Sequence, residues 1–238
     1  RQHMASLHIT SVRFSHYKAF SSFAIHLQEF NVLVGPNNSG KSTIVGAFRI
    51  LHEGLRKARA KSPERVQVDD IVTLGYKLNI DDLPVAAENI FHNYDDSSPA
   101  TVTFKLSNDN TLKLYFPERR TCIMVAEPKS GEIRAPRDFR AAFDVEVGFV
   151  PILGPVDQKE PLYAKEAARL ALMTSGASRN FRNIWHHYPE DFDRFRELVQ
   201  TTWPGMDIER PEISEDARQL HMFCPEDRYP REICWSGY

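Results

Sequence analysis

Alternating apolar and polar residues mark the first part of the chain. Residues 7–14 alternate, and residues 24–27 begin a second run of this kind after an expected turn at residues 16–23. Successive side chains of a strand point to opposite faces, so the pattern predicts two half-buried strands. Residues 30–34 are almost continuously apolar and predict a third, buried strand.

A second group of alternating segments predicts an antiparallel meander. Residues 101–106 alternate strictly, residues 108–110 have turn composition, and residues 112–116 and 122–125 supply two more strands. Residues 57–65 are rich in charge and contain a proline, and they are expected to be the exposed end of a helix followed by a loop.

Apolar residues at helical spacing follow the third predicted strand and occur again in the second half of the chain. Ile44, Phe48 and Leu51 recur at intervals of three or four residues, which predicts an amphipathic helix. Three further helices are predicted over residues 163–173, 178–188 and 190–203. Pro189 separates the second from the third, and Pro204-Gly205 ends the third. Arg179 and Arg182 are expected on the surface of this helical region.

Composition narrows the class of protein. The 238 residues are 42% hydrophobic and 26% charged, and the formal net charge of −2 provides no overall basic field for nucleic acid. Three widely spaced cysteines predict neither a disulfide framework nor a zinc site, which favours reduced thiols in the cytoplasm. No apolar stretch has the length needed to cross a bilayer, so no membrane association is expected.

A phosphate-binding loop lies between the third strand and the first helix. Residues 35–42 match G-x-x-x-x-G-K-S in full, with strand and helix on the expected sides. Backbone N–H groups of such a loop surround a phosphate, while the lysine reaches the β- and γ-phosphates and the serine hydroxyl binds Mg²⁺. The sequence therefore predicts ATP and Mg²⁺ as ligands. The predicted nucleotide-binding residues here are Gly35, Pro36, Asn37, Asn38, Ser39, Gly40, Lys41, Ser42 and Thr43, with Lys41 also catalytic and Ser42 also a metal ligand.

The order of these motifs resembles a known group of ATPases. A strand, then Tyr17-Lys18-Ala19-Phe20, a second strand and Gly-Pro-Asn-Asn-Ser-Gly-Lys-Ser is similar to the N-terminal lobe of RecF, the SMC proteins and the OLD (overcoming lysogenization defect) ATPase-nucleases. The resemblance implies an α/β P-loop NTPase fold of the ABC-ATPase type, with an antiparallel β-subdomain and a helical lobe. It also implies that Lys18 and one aromatic residue, Tyr17 or Phe20, lie beside the nucleotide. Packing beneath the sheet is the alternative for both aromatic residues.

The same resemblance assigns roles to two later segments. Gln158 follows an apolar segment and matches the glutamine that contacts Mg²⁺ and the attacking water, so it is predicted to be catalytic and metal-binding. Ser236 and Gly237 match the start of the signature that binds the γ-phosphate held by an opposite subunit. The apolar strand ending in Asp-Glu, which should follow that signature and orient water, is not found.

These matches set the expected organisation. Residues 1–6 are expected to be a cloning remnant, residues 7–150 a nucleotide-binding core with its meander, and residues 151–238 the glutamine segment, helical lobe and start of the signature. We expect the chain to be the N-terminal part of a longer protein and to hydrolyse ATP weakly by itself.

The expected function is that of an ATP-binding and ATP-hydrolysing head of the OLD or RecF type. Two heads would dimerise around ATP and drive DNA processing or a nuclease, either a partner or a fused domain, in bacterial antiphage defence or DNA repair. The lack of a long heptad region after the first helix argues against the SMC type. Two alternatives stay open, a nucleotide-dependent regulatory module without turnover and a P-loop kinase whose lid would use Arg179 and Arg182.

Overall fold

Two compact units make up the chain, Arg1–Gly148 and Phe149–Tyr238. The computed structural model describes residues 7–79, 90–148, 150, 154–172, 174, 176–216, 218–226 and 229–232. Within these ranges, no helix combines the length and the apolar character that spanning a membrane requires.

A seven-stranded antiparallel sheet forms the framework of the first unit. Its order is β2-β1-β5-β6-β7-β4-β3. Val12 and Phe14 are fully buried on one face of the sheet, whereas Arg13 and Ser15 are exposed on the other, as the alternation predicts. The strands are β1 (Ile9–Tyr17), β2 (Phe20–His26), β3 (Glu64–Val68), β4 (Ile71–Asn79), β5 (Ala100–Leu106), β6 (Thr111–Glu118) and β7 (Thr121–Glu127).

The predicted meander and the first two strands are confirmed, with one change of length. The meander corresponds to β5, β6 and β7, which pair consecutively. Since β2 already begins at Phe20 and Tyr17 pairs with Phe20, the turn between β1 and β2 is shorter than predicted. It consists of residues 18 and 19 alone.

Two helices cover one face of this sheet. Helix α1 (Lys41–Ala60) buries Ile50, Leu51 and Leu55 almost completely, and each such side chain contributes about 2 kcal/mol through burial. Helix α2 (Pro136–Ala142) adds Phe139, which packs edge-on against Tyr76 of β4. The predicted helix after the phosphate loop is confirmed, whereas α2 was not predicted because seven residues carry too little periodicity.

The β3–β4 hairpin replaces part of the loop expected after α1. The helix ends at Ala60, and β3 starts four residues later. Asp69 lies at the turn of the hairpin in a left-handed conformation, with φ of 53°. Its carboxylate accepts a hydrogen bond of 3.0 Å from the hydroxyl of Tyr115. This aspartate is therefore a structural turn residue.

The strand predicted at residues 30–34 does not form in the described residues. The segment has no strand assignment, and Phe30, Val32 and Val34 are 82%, 67% and 86% exposed. An isolated apolar run gains neither ladder hydrogen bonds nor burial, and no strand of the described part of the chain pairs with it. The prediction of a buried strand at residues 30–34 is therefore wrong.

Short helices dominate the second unit. The predicted helices correspond to α3 (Lys165–Ala171), α4 (Phe181–His187) and α5 (Phe192–Thr202), each shorter than predicted. Trp185 stacks on Phe195, with ring centroids 4.6 Å apart, in a core that also contains Phe192. Five short strands were not predicted. They are β8 (Glu160–Pro161), β9 (Glu212–Ile213), β10 (Gln219–His221), β11 (Phe223–Glu226) and β12 (Tyr229–Glu232), and they form a three-stranded and a two-stranded sheet.

The surface position expected for Arg182 is wrong. Arg182 and Glu160 are both completely buried, and the guanidinium Nη1 lies 3.3 Å from the carboxylate Oε2. The same carboxylate accepts backbone hydrogen bonds from Arg182 and Asn183 at the start of α4, at 3.0 and 2.7 Å. The two buried charges are tolerated because they pair with each other, and because the carboxylate also accepts the two backbone N–H groups. Arg179, in contrast, is exposed and lies 3.8 Å from Asp157.

Candidate nucleotide-binding site

The phosphate loop enters α1 through a left-handed glycine. Gly40 has φ of 90°, and the ring of Phe20 lies where a side chain at position 40 would project. Asn38 is also left-handed, with φ of 69°. Only glycine adopts the conformation at position 40 without strain, and only glycine leaves room for the ring. The loop geometry therefore depends on a residue from the preceding hairpin as well as on its own sequence.

Lys41 is held by oxygen atoms of the loop itself. Its Nζ donates hydrogen bonds to the carbonyl oxygens of Gly35 and Pro36, at 2.7 and 2.6 Å, and lies 3.3 Å from Oγ of Ser39. These contacts place the ammonium group inside the loop, although it is attached to the first residue of α1. A cation at this position faces whatever anion the loop N–H groups bind.

The first turn of α1 contributes no negative group of its own. Gly40 provides no side-chain cap, and the first turn of the helix contains no acidic residue. The first N–H groups of a helix lack partners within the helix, and the aligned peptide dipoles place partial positive charge there. Together with Lys41, this helix end is suited to a phosphate group.

Ser42 and Thr43 differ in what they can offer to a ligand. Ser42 is exposed on the first turn of α1, so its hydroxyl is accessible to a cation beside the loop. Thr43 is only 8% exposed, and its side chain faces the protein. The nucleotide-binding role predicted for Thr43 would therefore belong to its backbone N–H. The other predicted loop residues are exposed, namely Gly35, Pro36, Asn37, Asn38 and Ser39.

The turn between β1 and β2 lies close to the loop. Phe20, which follows this turn, is the residue whose ring contacts Gly40. Tyr17, at the other end, is fully buried against Phe116, with ring centroids 5.4 Å apart, and its burial raises the pKa of its hydroxyl. Packing is thus the structural role of Tyr17, while Phe20 supports the loop.

Lys18 forms the tip of this turn in a left-handed conformation, with φ of 49°. Desolvation lowers the pKa of its ammonium group below the usual value of 10.5. Burial is the cause of this shift. Lys18 is therefore a half-buried cation that a nearby anion would stabilise.

Backbone contacts to Lys18 come from a segment that sequence reasoning did not identify. The N–H of Lys18 donates to the carbonyl oxygen of Ile90 at 2.7 Å, and Nδ1 of His92 lies 2.9 Å from the carbonyl oxygen of Lys18. The two segments are more than seventy residues apart, and a lone histidine carries no local pattern that would signal this contact.

The second unit contains the remaining predicted residues. Gln158 is exposed in the loop before β8, so its amide is accessible to solvent. Ser236 and Gly237 lie outside the described residues, as do residues 149 and 151–153 of the apolar segment predicted before Gln158. The described residues contain no group of three metal-binding side chains. Ser42 nevertheless fits Mg²⁺, which takes one or two protein oxygens and otherwise binds water and phosphate oxygens.

Comparison with known proteins agrees with this geometry. A sequence profile of the AAA ATPase domain matches residues 8–186, three quarters of the chain. No curated protein sequence matches significantly. The chain belongs to the AAA ATPase domain family, and its α/β P-loop NTPase fold agrees with that membership.

Proposed function

We propose that this member of the AAA ATPase domain family binds Mg–ATP at residues 35–43 and serves as the ATP-hydrolysing head of an OLD- or RecF-like ATPase. One observation carries the proposal most directly. Lys41 is held by the loop's own oxygens at the uncapped amino end of a 20-residue helix. A cation, the N–H groups of an uncapped helix end and a helix dipole meet at one place, which is the combination that a polyphosphate requires.

Each group at the loop has a distinct task in this proposal. The N–H groups at the start of α1 would bind phosphate oxygens, and Lys41 would neutralise charge that develops during phosphoryl transfer. Ser42 would supply an oxygen ligand to Mg²⁺, which would provide positive charge beside the phosphates when bound. Lys18 supplies a second cation from the neighbouring turn. Gln158 is proposed to orient water, by resemblance to related heads.

The resemblance to OLD and RecF proteins supports the finer parts of the proposal. It rests on the Tyr17-Lys18-Ala19-Phe20 segment and on the asparagines within the loop. By that resemblance, two heads enclose ATP, with Ser236 and Gly237 of one head beside the γ-phosphate of the other. Closure and reopening of the dimer would drive DNA processing or a nuclease in antiphage defence or DNA repair.

The structure weakens the kinase alternative. A kinase lid needs mobile arginines, and Arg182 is completely buried against Glu160. Of the two arginines that a lid would use, Arg179 is the one that is exposed. A regulatory module without turnover differs from an ATPase in a direct assay, since it binds ATP tightly and releases no phosphate.

Sedimentation velocity of the intact protein tests the proposed dimer. Wild type and Ser236→Arg are compared, each with ATP or with ADP. ATP should increase the mass of the wild type only, because ADP lacks the γ-phosphate that bridges the heads, and because the arginine blocks the approach of the partner. Equal mass in all four samples, including after removal of any other oligomerising region, contradicts the ATP-dependent dimer.

A further inference from the structure

Strands β4 and β7 separate at Gly75. The pairing between them ends at Tyr76, whose partner in β7 is Met124, although both strands continue beyond that pair. The first half of β4 pairs with β3 alone. The tip of the β3–β4 hairpin lies against Tyr115 of β6 instead, where the N–H of Asp69 donates to the tyrosine hydroxyl at 3.1 Å. The hairpin therefore crosses β7 rather than continuing the sheet beside it.

Gly75 is the point at which the hairpin crosses. A Cβ at position 75 would lie 2.8 Å from Cγ2 of Val66, and 3.1 Å from both Cγ2 of Ile123 and the carbonyl oxygen of Met124. Glycine permits this close approach of one backbone to another strand because it has no side chain. The same contact shows that the carbonyl group of Met124 is directed toward β4.

The separation leaves backbone groups on both sides of a gap. Alternate residues of an antiparallel strand present their N–H and C=O groups to the same neighbour, so Ala126 faces the same side as Met124. Val125 faces the other side and pairs with Lys113 of β6. By the same alternation Leu74, two residues from the last β4 residue paired with β7, faces the gap from β4. In the described part of the chain no strand pairs with Ala126 or Leu74 on these sides, and an open edge of this kind accepts a further strand.

A cavity of about 210 Å³ lies between the separated strands. Leu74 and Ala126 contribute to its walls, and residues 128 and 131–133, which follow β7, close another side. Tyr76 lines the same cavity and is only 2% exposed, and its hydroxyl has no hydrogen-bond partner among the described residues. A buried hydroxyl without a partner is costly, so an acceptor brought by a ligand would be bound favourably.

We propose that this gap binds an extended peptide segment of a partner protein. The segment adds as a short strand to β7 at Ala126, places an aliphatic side chain in the cavity and offers a carbonyl oxygen to the Tyr76 hydroxyl. A peptide backbone is the ligand that supplies donors and acceptors at strand spacing.

Two features of the walls define this peptide further. The crossing hairpin and the 128–133 segment border the gap, which favours a lone extended segment over the edge of a folded sheet. Glu127 lines the cavity and is exposed, so a lysine or arginine beside the aliphatic residue complements its charge. The proposal goes beyond nucleotide binding and does not depend on it, because none of these residues belongs to the phosphate loop.

Nuclear magnetic resonance of the intact chain with the peptide acetyl-Lys-Thr-Val-Leu-Val-Thr-Lys-amide tests the proposal. Saturation should slow amide hydrogen exchange at Ala126 about tenfold or more, because its N–H becomes bonded to the peptide. Val125, whose N–H already faces β6, should change little. The same peptide with N-methyl groups on its central residues cannot pair as a strand and should bind more than about tenfold more weakly.

Variants of the cavity walls separate binding in the gap from binding elsewhere. Thr73→Trp fills the cavity from β4 and should weaken peptide binding more than about tenfold. Ser22→Trp, at an exposed position of the edge strand β2, is the matched control and should bind like the wild type. Circular dichroism of each variant shows that the compared proteins are folded.

Tyr76→Phe should have opposite effects on binding and on the free protein. Loss of the hydroxyl should weaken peptide binding by about threefold to tenfold. The melting temperature of the free protein should stay the same or rise, because the variant buries no unpaired hydroxyl. A lower melting temperature would show that the hydroxyl is already paired and would contradict its role in the site.

The remaining outcomes decide the site and its occupant. The proposal is overturned if the peptide shows no saturable binding, if the N-methylated peptide binds equally well, or if Thr73→Trp binds like the wild type. Sedimentation velocity without peptide or nucleotide should give the same mass for wild type and Thr73→Trp. Self-association that Thr73→Trp abolishes would show that a second copy of the chain, rather than a partner peptide, occupies the gap.

Discussion

The ring of Phe20 occupies the space beside Gly40 into which a Cβ would project. This contact joins the β1–β2 hairpin to the last turn of the phosphate loop. The loop therefore has support on two sides, from α1, which begins at Lys41, and from β2. Changes in the hairpin should reach the nucleotide site through this contact.

Gly40→Ala should reduce ATP affinity more than tenfold, although the variant retains Lys41. Alanine at φ of 90° is strained by about 1–3 kcal/mol, and its methyl group collides with Phe20. Isothermal titration with ATP and Mg²⁺ measures the loss. Gly46→Ala is the matched control, because no atom lies within 4 Å of a Cβ there and alanine favours a helix. Equal affinities for the two variants would contradict the role of Gly40.

ATP binding should take up protons through Lys18 in the pH range between the pKa of its ammonium group in the free protein and the pKa in the complex. Burial lowers the pKa of the free ammonium group below 10.5, and a nearby polyphosphate raises it again. Between these two pKa values the lysine is partly neutral before binding and charged afterwards. Calorimetry in buffers of different ionisation enthalpy measures the proton count.

Lys18→Met is the control for this proton count, since it keeps the length of the side chain without an ionisable group. The variant should lose the alkaline uptake and retain any proton exchange of ATP itself. Uptake that is the same in wild type and Lys18→Met would place the titrating group elsewhere.

Glu160→Ala should destabilise the protein by about 3–5 kcal/mol, because it leaves the charge of Arg182 buried without its carboxylate. Glu160→Gln retains an acceptor for the N–H groups at the start of α4 and should cost less. Urea unfolding followed by circular dichroism measures both. Glu197→Ala, at an exposed position of α5, should stay within about 0.5 kcal/mol of the wild type. A loss below about 1 kcal/mol for Glu160→Ala would show that the buried pair contributes little.

Sequence patterns predicted the parts of the fold that depend on local periodicity. The β5–β7 meander, β1 and α1 follow from alternation or helical spacing that each segment carries by itself. The phosphate loop was equally visible, since its glycines, lysine and serine are contiguous. By contrast, the strand expected at residues 30–34 depends on a neighbouring strand, and apolar composition alone cannot supply one.

Contacts between distant segments could not be predicted from the sequence. A charged residue on a helix is usually exposed. Arg182 is buried because it pairs with Glu160, twenty-two residues earlier. His92 meets Lys18 across seventy-four residues. Thr43 follows the loop in sequence, but the face of α1 on which it lies turns its side chain inward. Each of these positions is set by tertiary packing.

Titration of fluorescent ATP analogue against wild type, Lys41→Ala and Ser42→Ala, with and without Mg²⁺, tests the central claim most directly. Lys41→Ala should abolish binding or weaken it at least a hundredfold, because it removes the cation held within the loop, at a cost of about 3 kcal/mol. Ser42→Ala should bind like the wild type without Mg²⁺ and lose most of the increase that Mg²⁺ provides. Unchanged affinity in Lys41→Ala would contradict the assignment of residues 35–42 as the nucleotide site.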